Sequence, residues 1–394
     1  MKVKEVVHFL VNPGWGKNLL FVKVTTDNGL IGWGECYTQS DRDITIATHV
    51  EHLGRYLIGR DPFEIKYFNQ IVFDDYSSRR GSMEIFAALS GIEQALWDIC
   101  GKSTNLPVHK LLGGPCRGKL RVYANGWYAG SVKPEDYAEK AKKMVDQGYS
   151  ALKFDPIPGP FRSMISKINL KQSVETVKQV RNAVGDNVDL LIEVHRRFSP
   201  MTAIEFANGI EEFDPFWFEE PCPPEFLDNL SEIRSSINTP VVTGEALYTK
   251  NDFVEVFSKR CADIINPDVA NTGGILELKE IASMAEANQV AVSPHNYNST
   301  TIALAATLQA SITMPNFLIT EYFVPFENMG KEISTNPLIP KDGYINLGDE
   351  PGLGMNLIEE KLLKYPYKEF ARDLPQSSNE GFYGGAWPDN IDVS

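Results

Sequence analysis

The chain has 394 residues, of which 43% are hydrophobic and 23% are charged. This balance is typical of an ordered globular protein with room for two domains and a large core. The formal net charge of −14 disfavours nucleic acid or an acidic membrane surface as a partner. No apolar run reaches the roughly 20 residues of a membrane span, and no signal-peptide pattern opens the chain. We therefore expect a cytoplasmic protein without a membrane or nucleic-acid partner.

The first segment, residues 1 to about 118, is predicted to be an α+β unit that acts as a lid or cap. Residues 21–25 and 30–35 are β-rich runs on either side of a turn with Asn28-Gly29, which is a strong hairpin signal. Apolar residues at three-to-four spacing predict helices over 42–57 and 82–101.

Beyond the cap, polar residues follow short apolar runs at nearly even intervals of 26, 26, 23, 27 and 26 residues. One strand, one helix and two loops consume about 25 residues, so each polar residue would lie at the same end of successive β/α units. Such units close into a barrel, and the six side chains converge on one mouth. They are Glu193, Glu219, Glu245, Asp268, His295 and Glu321.

The predicted fold class is α/β, with a (β/α)8-type barrel over residues 119–337. The predicted strands are 121–125, 151–155, 190–194, 216–219, 240–244, 263–267, 290–293 and 317–320. The predicted helices are 134–148, 171–184, 203–212, 225–236, 251–258, 274–287 and 300–310. The long loop 156–168 is expected to help cover a substrate. Residues 338–394 have too little apolar content for a core of their own, so we expect them to pack back on the cap or the barrel.

Glu193, Glu219 and Glu245 end three adjacent strands and form a candidate metal site. The absence of cysteine and the single nearby histidine favour a hard cation over zinc. Mg²⁺ fits best, because it binds through few protein carboxylates and leaves positions for water or substrate oxygens. Each glutamate alone could be a solvated loop acid or a neighbour of a helix N-terminus. Three in phase at the catalytic face of a barrel favour the metal site.

Groups that transfer protons surround this candidate site. Lys153 lies within the second strand, and His195 follows the first of the three glutamates. Asp268 and His295 lie on successive strands, where a carboxylate can orient and charge an imidazole. Glu321 could be a buried, protonated donor to an oxyanion, or a salt-bridge partner of a neighbouring cation. The set suits removal of a proton alpha to a carboxylate, because the metal and Lys153 would neutralise the enediolate.

The barrel contains, in order, LLIEVHRRF (190–198), FWFEEP (216–221), VVTGEAL (241–247), IINPDVANTGGI (264–275), VSPHN (292–296) and ITEY (319–322). These segments resemble the strand ends of the enolase superfamily, mandelate racemase subgroup, and within it the acid-sugar dehydratases. Residues 88–114 are similar to the capping-domain helix of that family. The resemblance implies an enolase-like modified TIM barrel, an N-terminal α+β capping domain completed by the C-terminal tail, and a homo-oligomer, often an octamer.

The resemblance also implies roles for individual residues. The implied Mg²⁺ ligands are Glu193, Glu219 and Glu245, the first glutamate of the pair at 219–220 being the ligand. His295, paired with Asp268, would be the base, and Glu321 would steady the enediolate. His195 would be the acid that helps the 3-hydroxyl of the substrate to leave.

The second strand departs from the racemases of the subgroup. They carry Lys-x-Lys there, the second lysine being a base opposite the histidine, whereas this chain has Lys153-Phe154-Asp155. Racemase chemistry therefore lacks its second base, and abstraction on one face by His295 followed by dehydration is favoured. Lys153 keeps a role consistent with binding the substrate carboxylate. Asp155 could accept a substrate hydroxyl or be purely structural.

Two short segments, VYANGWY (122–128) and ALKFDP (151–156), look most like archaeal gluconate dehydratases. The expected reaction is dehydration, syn or anti, of an aldonate such as D-gluconate or D-galactonate to its 2-keto-3-deoxy acid. Candidate contacts with the substrate hydroxyls are Asn125, Trp127, Tyr128, Arg79 and Arg80. Packing for Trp127 and solvent exposure for the arginines are the alternatives. A racemase or cycloisomerase, a dehydratase of another acid sugar such as mannonate, arabinonate or an aldarate, and an inactive homologue stay open.

Overall fold

The computed structural model describes residues 1–14, 16–39, 42–157, 165–297, 299 and 301–370. An antiparallel sheet with helices forms the N-terminal cap, and a ring of parallel strands surrounded by helices forms the barrel. The predicted α/β fold class is therefore confirmed. No helix in the described part of the chain is long and apolar enough to cross a membrane.

The cap is a three-stranded meander covered by one long helix. Its elements are β1 (Val3–Val11), β2 (Leu19–Thr26), β3 (Ile31–Cys36), α1 (Asp43–Gly54), α2 (Ile65–Ile71), α3 (Met83–Thr104) and α4 (Val108–Leu111). Helix α3 packs against β3 at very short range. A Cβ on Gly34 would lie 1.8 Å from the carbonyl oxygen of Gly91, so only glycine permits this approach.

The barrel alternates strands and helices along the chain. Its strands are β4 (Leu120–Asn125), β5 (Ala151–Phe154), β6 (Asp189–Glu193), β7 (Trp217–Glu219), β8 (Val241–Thr243), β9 (Ile264–Ile265), β10 (Ala291–Val292) and β11 (Thr320–Phe323). Its helices are α5 (Pro134–Asp146), α6 (Lys167–Val184), α7 (Pro200–Ile210), α8 (Leu227–Ser236), α9 (Thr249–Ser258), α10 (Ile275–Ala287), α11 (Thr301–Ser311) and α12 (Glu327–Ile333).

The strands pair in parallel in chain order, and the ring closes between the last strands and the first. β11 pairs with β4, and a bridge joins Val292 of β10 to Phe317 just before β11. Alternate residues point into the ring, because side chains of a strand alternate between its faces. The inward layer is Tyr123, Ala151, Leu191, Trp217, Val242, Ile264 and Ile319. The outward residues pack against the helices.

The C-terminal segment contacts both units. β12 (Tyr344–Ile345) pairs antiparallel with the first residues of β4, at the end of the barrel opposite the mouth. The backbone N–H of Leu353 donates to Asp98 of α3 at 2.8 Å, and Pro366 bridges to Val11 of β1. A last short helix, α13 (Glu359–Leu362), contacts α12.

The structure also differs from the sequence-based expectations, and the short elements α4, α12, β12 and α13 were not among the predicted ones. Strand β1 and the pair formed by α2 and the following π-helical turn Val72–Tyr76 were not predicted. The eighth strand was predicted at 317–320, but it runs from Thr320 to Phe323, because 317 and 318 bond to β10 instead. Residues 158–164 of the loop expected to cover the substrate, and 371–394 of the tail, lie outside the described residues.

Candidate active site

Most of the site residues lie two positions further along their strands than the residues of the inward apolar layer. In a strand, residues two apart face the same side, so the position that follows Tyr123, Ala151, Leu191, Trp217 or Ile319 by two also faces inward. Those positions hold Asn125, Lys153, Glu193, Glu219 and Glu321. They lie at the carboxyl ends of the strands, and the apolar layer beneath them closes the barrel to water.

The three predicted ligands converge at this mouth. One carboxylate oxygen from each of Glu193, Glu219 and Glu245 lies within 4.8 Å of the others. All three residues are buried. Burial, together with the charges of the other two, raises the pKa of Glu193 well above its usual value. A divalent cation among the three carboxylates would offset this repulsion.

The donor set fits a hard cation such as Mg²⁺. Among the described residues, the Oε2 atoms of Glu193 and Glu219 are buried and accept no hydrogen bond. A buried carboxylate oxygen without a donor is costly, and coordination of a metal ion satisfies it. Three oxygen donors without thiolate or imidazole match the preference of Mg²⁺.

Lys153 lies in the middle of the acidic groups. Its Nζ is 2.8 Å from Oε1 of Glu219, 3.7 Å from Oε1 of Glu321 and 3.9 Å from Oε2 of Glu193. Burial lowers the pKa of Lys153, but the surrounding carboxylates outweigh burial and raise it well above its usual value. The lysine is therefore a fixed positive charge at the mouth.

His295 and Asp268 form a buried dyad next to Glu245 of the triad. Nδ1 of His295 lies 2.7 Å from Oδ2 of Asp268, and Nε2 lies 3.1 Å from Oε2 of Glu245. Burial lowers the pKa of His295, but Glu245, Glu321 and Asp268 raise it to about 9. Because Asp268 occupies Nδ1, the ring presents Nε2 to the acidic triad.

Glu321 is fully buried beside both proton-transfer groups. Its Oε2 accepts a 3.0 Å hydrogen bond from the N–H of Asn296, and Nε2 of His295 is 3.6 Å away. Burial raises the pKa of Glu321, but Lys153 and His295 outweigh burial and lower it. The sequence left Glu321 as either a protonated donor to an oxyanion or a salt-bridge partner, and in the structure it forms an ion pair with Lys153.

His195 lies at the end of β6, next to the second strand. Its Nδ1 is 2.7 Å from Oδ2 of Asp155, and the same oxygen accepts from Arg197. The pKa of Asp155 is lowered, because Arg197 and the hydrogen bond from His195 outweigh burial. His195 and the next residue, Arg196, have φ values of +49° and +62°. This left-handed turn is uncommon for residues other than glycine.

The adjacent Glu220 has other partners than the triad. One of its oxygens accepts from Thr243 Oγ1 and from the N–H of Gly244, both at 2.9 Å. Its other oxygen lies 3.5 Å from Arg196, which also pairs with Glu245. Glu220 therefore supports the turn after β8, while Glu219 faces the cluster.

The predicted substrate contacts fall in different surroundings. Asn125 donates to Glu321 at the mouth. Trp127 is buried with its ring 5.6 Å from that of Phe154, and Tyr128 stacks on Tyr137. Arg79 projects from the cap surface, where its side chain is 73% exposed and paired with Asp74. Arg80 is exposed as well.

Sequence reasoning missed several groups at the mouth. Asn266 donates to Oε1 of Glu219 at 3.0 Å. Arg196 pairs with Glu245 of the triad, and Arg197 pairs with Asp155, the partner of His195. All three lie within the quoted strand-end segments, so their spacing could have indicated them. Tyr37 of the cap, whose ring centroid is 6.1 Å from that of His295, carries no such signal, because it follows a cap strand.

A parallel barrel with this acidic triad, buried lysine and His–Asp dyad at its strand ends, beneath an α+β cap, defines a class of barrel enzymes that perform acid–base chemistry. Two family models match the chain. Residues 14–113 match the mandelate racemase / muconate lactonizing enzyme N-terminal domain, and residues 136–361 match the enolase C-terminal domain-like family. The chain belongs to the enolase superfamily, in the mandelate racemase group.

Individual relatives match over nearly the whole length. A D-gluconate/D-galactonate dehydratase of Picrophilus torridus is 35% identical over 390 residues, with 97% of this chain and 99% of the relative covered. A D-gluconate dehydratase of Thermoproteus tenax is 34% identical over 354 residues, covering 89% and 70% of the two chains. The crystal structure of a mandelate racemase/muconate lactonizing enzyme from Jannaschia sp. CCS1 superposes with a TM-score of 0.88 at 32% identity, covering 94% and 99%.

Proposed function

We propose that the protein is a Mg²⁺-dependent hydro-lyase that converts a six-carbon aldonate, D-gluconate or D-galactonate, to its 2-keto-3-deoxy acid. The observation that carries the proposal is the placement of one His–Asp dyad beside an acidic triad. Nε2 of His295 lies 3.1 Å from Glu245, and Asp268 holds Nδ1. The names of the relatives from Picrophilus torridus and Thermoproteus tenax support the substrate class.

In this mechanism His295, in its neutral form, takes the proton from C2 through Nε2. Glu193, Glu219 and Glu245 would hold Mg²⁺, which when bound supplies positive charge to the substrate carboxylate as it becomes an enediolate. Lys153 binds the same carboxylate and stabilises the second developing charge. Glu321 steadies these groups through its contacts with Lys153 and Asn296.

Loss of the 3-hydroxyl completes the reaction. The electron pair left at C2 forms the C2=C3 bond as the C3–O bond breaks, and His195 donates a proton so that the hydroxyl leaves as water. The resulting enol tautomerises to the 2-keto-3-deoxy acid. The products are therefore one water and one keto acid for each aldonate consumed.

The racemase alternative is weaker on this geometry. A second base on the second strand would have to come from position 155, because Phe154 points outward and packs on Trp127. Asp155 is instead bound to His195 and Arg197. We infer that proton abstraction takes place on the His295 face alone.

A keto-acid assay tests the proposal. Wild type, His295→Asn and His109→Asn are incubated with Mg²⁺ and a panel of aldonates and aldarates. His109 is the matched control, since it is a buried histidine of the cap that contacts Gln309. We expect keto acid from D-gluconate or D-galactonate in wild type and the control, and its loss in His295→Asn. No keto acid from any sugar acid would refute the dehydratase, and C2 deuterium exchange without product would favour a racemase.

A further inference from the structure

Asp155 occupies the position that the lysine base holds in racemases of this group, and the reaction above leaves it without a role. Both of its oxygens are engaged. Oδ1 accepts a 2.9 Å hydrogen bond from the N–H of Ile157, and Oδ2 accepts from Nδ1 of His195 and from Arg197. The side chain is only 11% exposed. A carboxylate bound on both oxygens is poorly suited to accept a substrate hydroxyl.

The backbone on the histidine side is fixed as well. The N–H of Arg196 donates to the carbonyl of Glu220 at 2.7 Å, and the N–H of Phe198 donates to the carbonyl of Pro221 at 3.1 Å. The left-handed turn at His195 is therefore anchored to the loop after β7 by two backbone hydrogen bonds. The imidazole ring can still rotate about its side-chain bonds, and the 2.7 Å hydrogen bond from Nδ1 to Asp155 restricts that rotation.

We propose that Asp155 is a positioning residue that orients His195 through Nδ1, so that Nε2 carries the proton delivered to the leaving 3-hydroxyl. The site then holds two His–Asp pairs with different duties. Asp268–His295 removes the C2 proton, and Asp155–His195 delivers a proton to oxygen. The inference rests on the proposed dehydration, because it concerns the second step of that reaction.

The proton balance of the second step is simple. The His195 imidazolium gives the proton on Nε2 to the 3-hydroxyl, water leaves, and the ring becomes neutral with its remaining proton on Nδ1. Asp155 accepts that Nδ1–H hydrogen bond before and after the transfer. A carboxylate that holds an imidazole in one tautomer in this manner raises catalytic rates by large factors in other His–Asp pairs.

The decisive readout is the ratio of two reactions in D₂O, keto-acid formation and deuterium exchange at C2 of the recovered substrate. Asp155→Asn places an amide where His195, Arg197 and the N–H of Ile157 all donate, so one donor always meets another. We expect kcat for keto acid to fall about 10²- to 10⁴-fold with a KM change below about threefold. Exchange at C2 should fall less than about tenfold, because the His295 pair is intact.

Asp263→Asn is the matched control. Asp263 also pairs with an arginine, Arg234, and precedes a barrel strand, but it lies at the end away from the mouth. This variant should keep both rates within about threefold of wild type. Equal loss of dehydration and exchange in folded Asp155→Asn would overturn the proposal, since Asp155 would then support the whole site. Unchanged dehydration would overturn it as well.

A second measurement is independent of any substrate. Protein labelled with ¹⁵N-histidine reports which ring nitrogen bears the proton, and the His195 signal is assigned by its loss in His195→Gln. We expect the neutral His195 ring to be protonated on Nδ1 in wild type and to lose that preference in Asp155→Ala. A wild-type ring protonated on Nε2, or an identical ring in the variant, would overturn the positioning role. If no sugar acid reacts with wild type, the proposed function fails while this measurement still decides the role of Asp155.

Discussion

Glu93, in the long helix of the cap, accepts a 2.7 Å hydrogen bond from the backbone N–H of Ile275, the first residue of barrel helix α10. Its other oxygen accepts from the N–H of Leu276 and from the indole of Trp97. Gly274 must be glycine here, because its φ is +94° and a Cβ would lie 2.1 Å from the Glu93 carboxylate. The cap thus binds the N-terminal end of the helix that follows the Asp268 loop.

Glu35 of β3 makes the corresponding contact with the next helix. Its Oε2 accepts a 3.0 Å hydrogen bond from the N–H of Ala303 in the first turn of α11, which follows the His295 loop. Ser90 accepts from the N–H of Gly273 in the same region. Strands β9 and β10 have two residues each, so the cap supplies anchoring that these short strands lack.

We predict a specific pH dependence of stability at Glu93. Burial, opposed by the three donors, raises the pKa of Glu93 from 4.5 to about 8. The folded state therefore holds a proton that the unfolded chain releases near pH 4.5. The stabilisation is complete below that pH and is lost as the pH rises through 8. In urea unfolding, the free energy of unfolding of wild type minus that of Glu93→Gln should decrease between pH 5 and pH 8.5.

An exposed glutamate in the first turn of α5, Glu135, provides the control for this measurement. Glu135→Gln should change the free energy of unfolding by no more than about 0.5 kcal/mol. A wild-type advantage over Glu93→Gln that grows with pH would contradict the expected sign.

The adjacent glutamates at 219 and 220 allow a matched test of the candidate metal site. Glu219 faces the triad, whereas Glu220 binds Thr243 and Gly244. We expect Mg²⁺ to raise the Tm of wild type in a concentration-dependent manner and EDTA to reverse the rise. Glu219→Gln should lose this rise. Glu220→Gln should begin from a lower Tm, because a buried hydrogen-bonded charge is removed, and still respond to Mg²⁺.

A Mg²⁺ response that survives in Glu219→Gln and disappears in Glu220→Gln would reverse the assignment of the ligand. Loss of the response in both variants would mean that Mg²⁺ binding requires both glutamates.

Removal of Lys153 should make the protein depend on the metal for its stability. In Lys153→Met, the buried carboxylates of Glu219 and Glu321 lose their cation, which costs about 3–5 kcal/mol for a broken buried pair. We expect a lower Tm without metal and a larger gain with Mg²⁺ than in wild type, because Mg²⁺ would replace the positive charge that Glu219 loses with Lys153. Thermal unfolding with and without Mg²⁺ measures both effects.

Lys102→Met is the control for this experiment. Lys102 makes a 2.6 Å ion pair with buried Asp98 in the cap, outside the candidate site. It should lower the Tm and leave the gain with Mg²⁺ as in wild type. An equal Mg²⁺ gain in wild type and Lys153→Met would argue against an electrostatic role for Lys153 at the candidate metal site.

Much of the barrel could be predicted because each β/α unit is a local pattern. The apolar run ending at Glu193 and the helix opened by Pro134 carry their signals within a few residues. The eighth strand was displaced, because residues 317 and 318 bond to one neighbour and 320–323 to the other. The sequence contains both runs but does not show which neighbour each one meets.

The site could be predicted to the level of which residues share the mouth, but not which atoms pair. The predicted strands 151–155 and 190–194 place Asp155 and His195 at adjacent strand ends, yet their 2.7 Å contact depends on a left-handed turn that the sequence does not reveal. Tyr37 was missed for a different reason. It reaches the site from the cap, and contacts between units leave no periodic trace along the chain.

The left-handed pair at His195 and Arg196 restricts how this site can drift during evolution. Histidine, asparagine and aspartate tolerate this backbone better than most residues, and glycine adopts it freely. Changes at 195 to asparagine, aspartate or glycine would therefore preserve the fold while removing the imidazole. β-Branched substitutions would disturb the turn as well as the chemistry. Descendants of this chain could thus lose the second step of the proposed reaction and keep an intact barrel, triad and His295 pair.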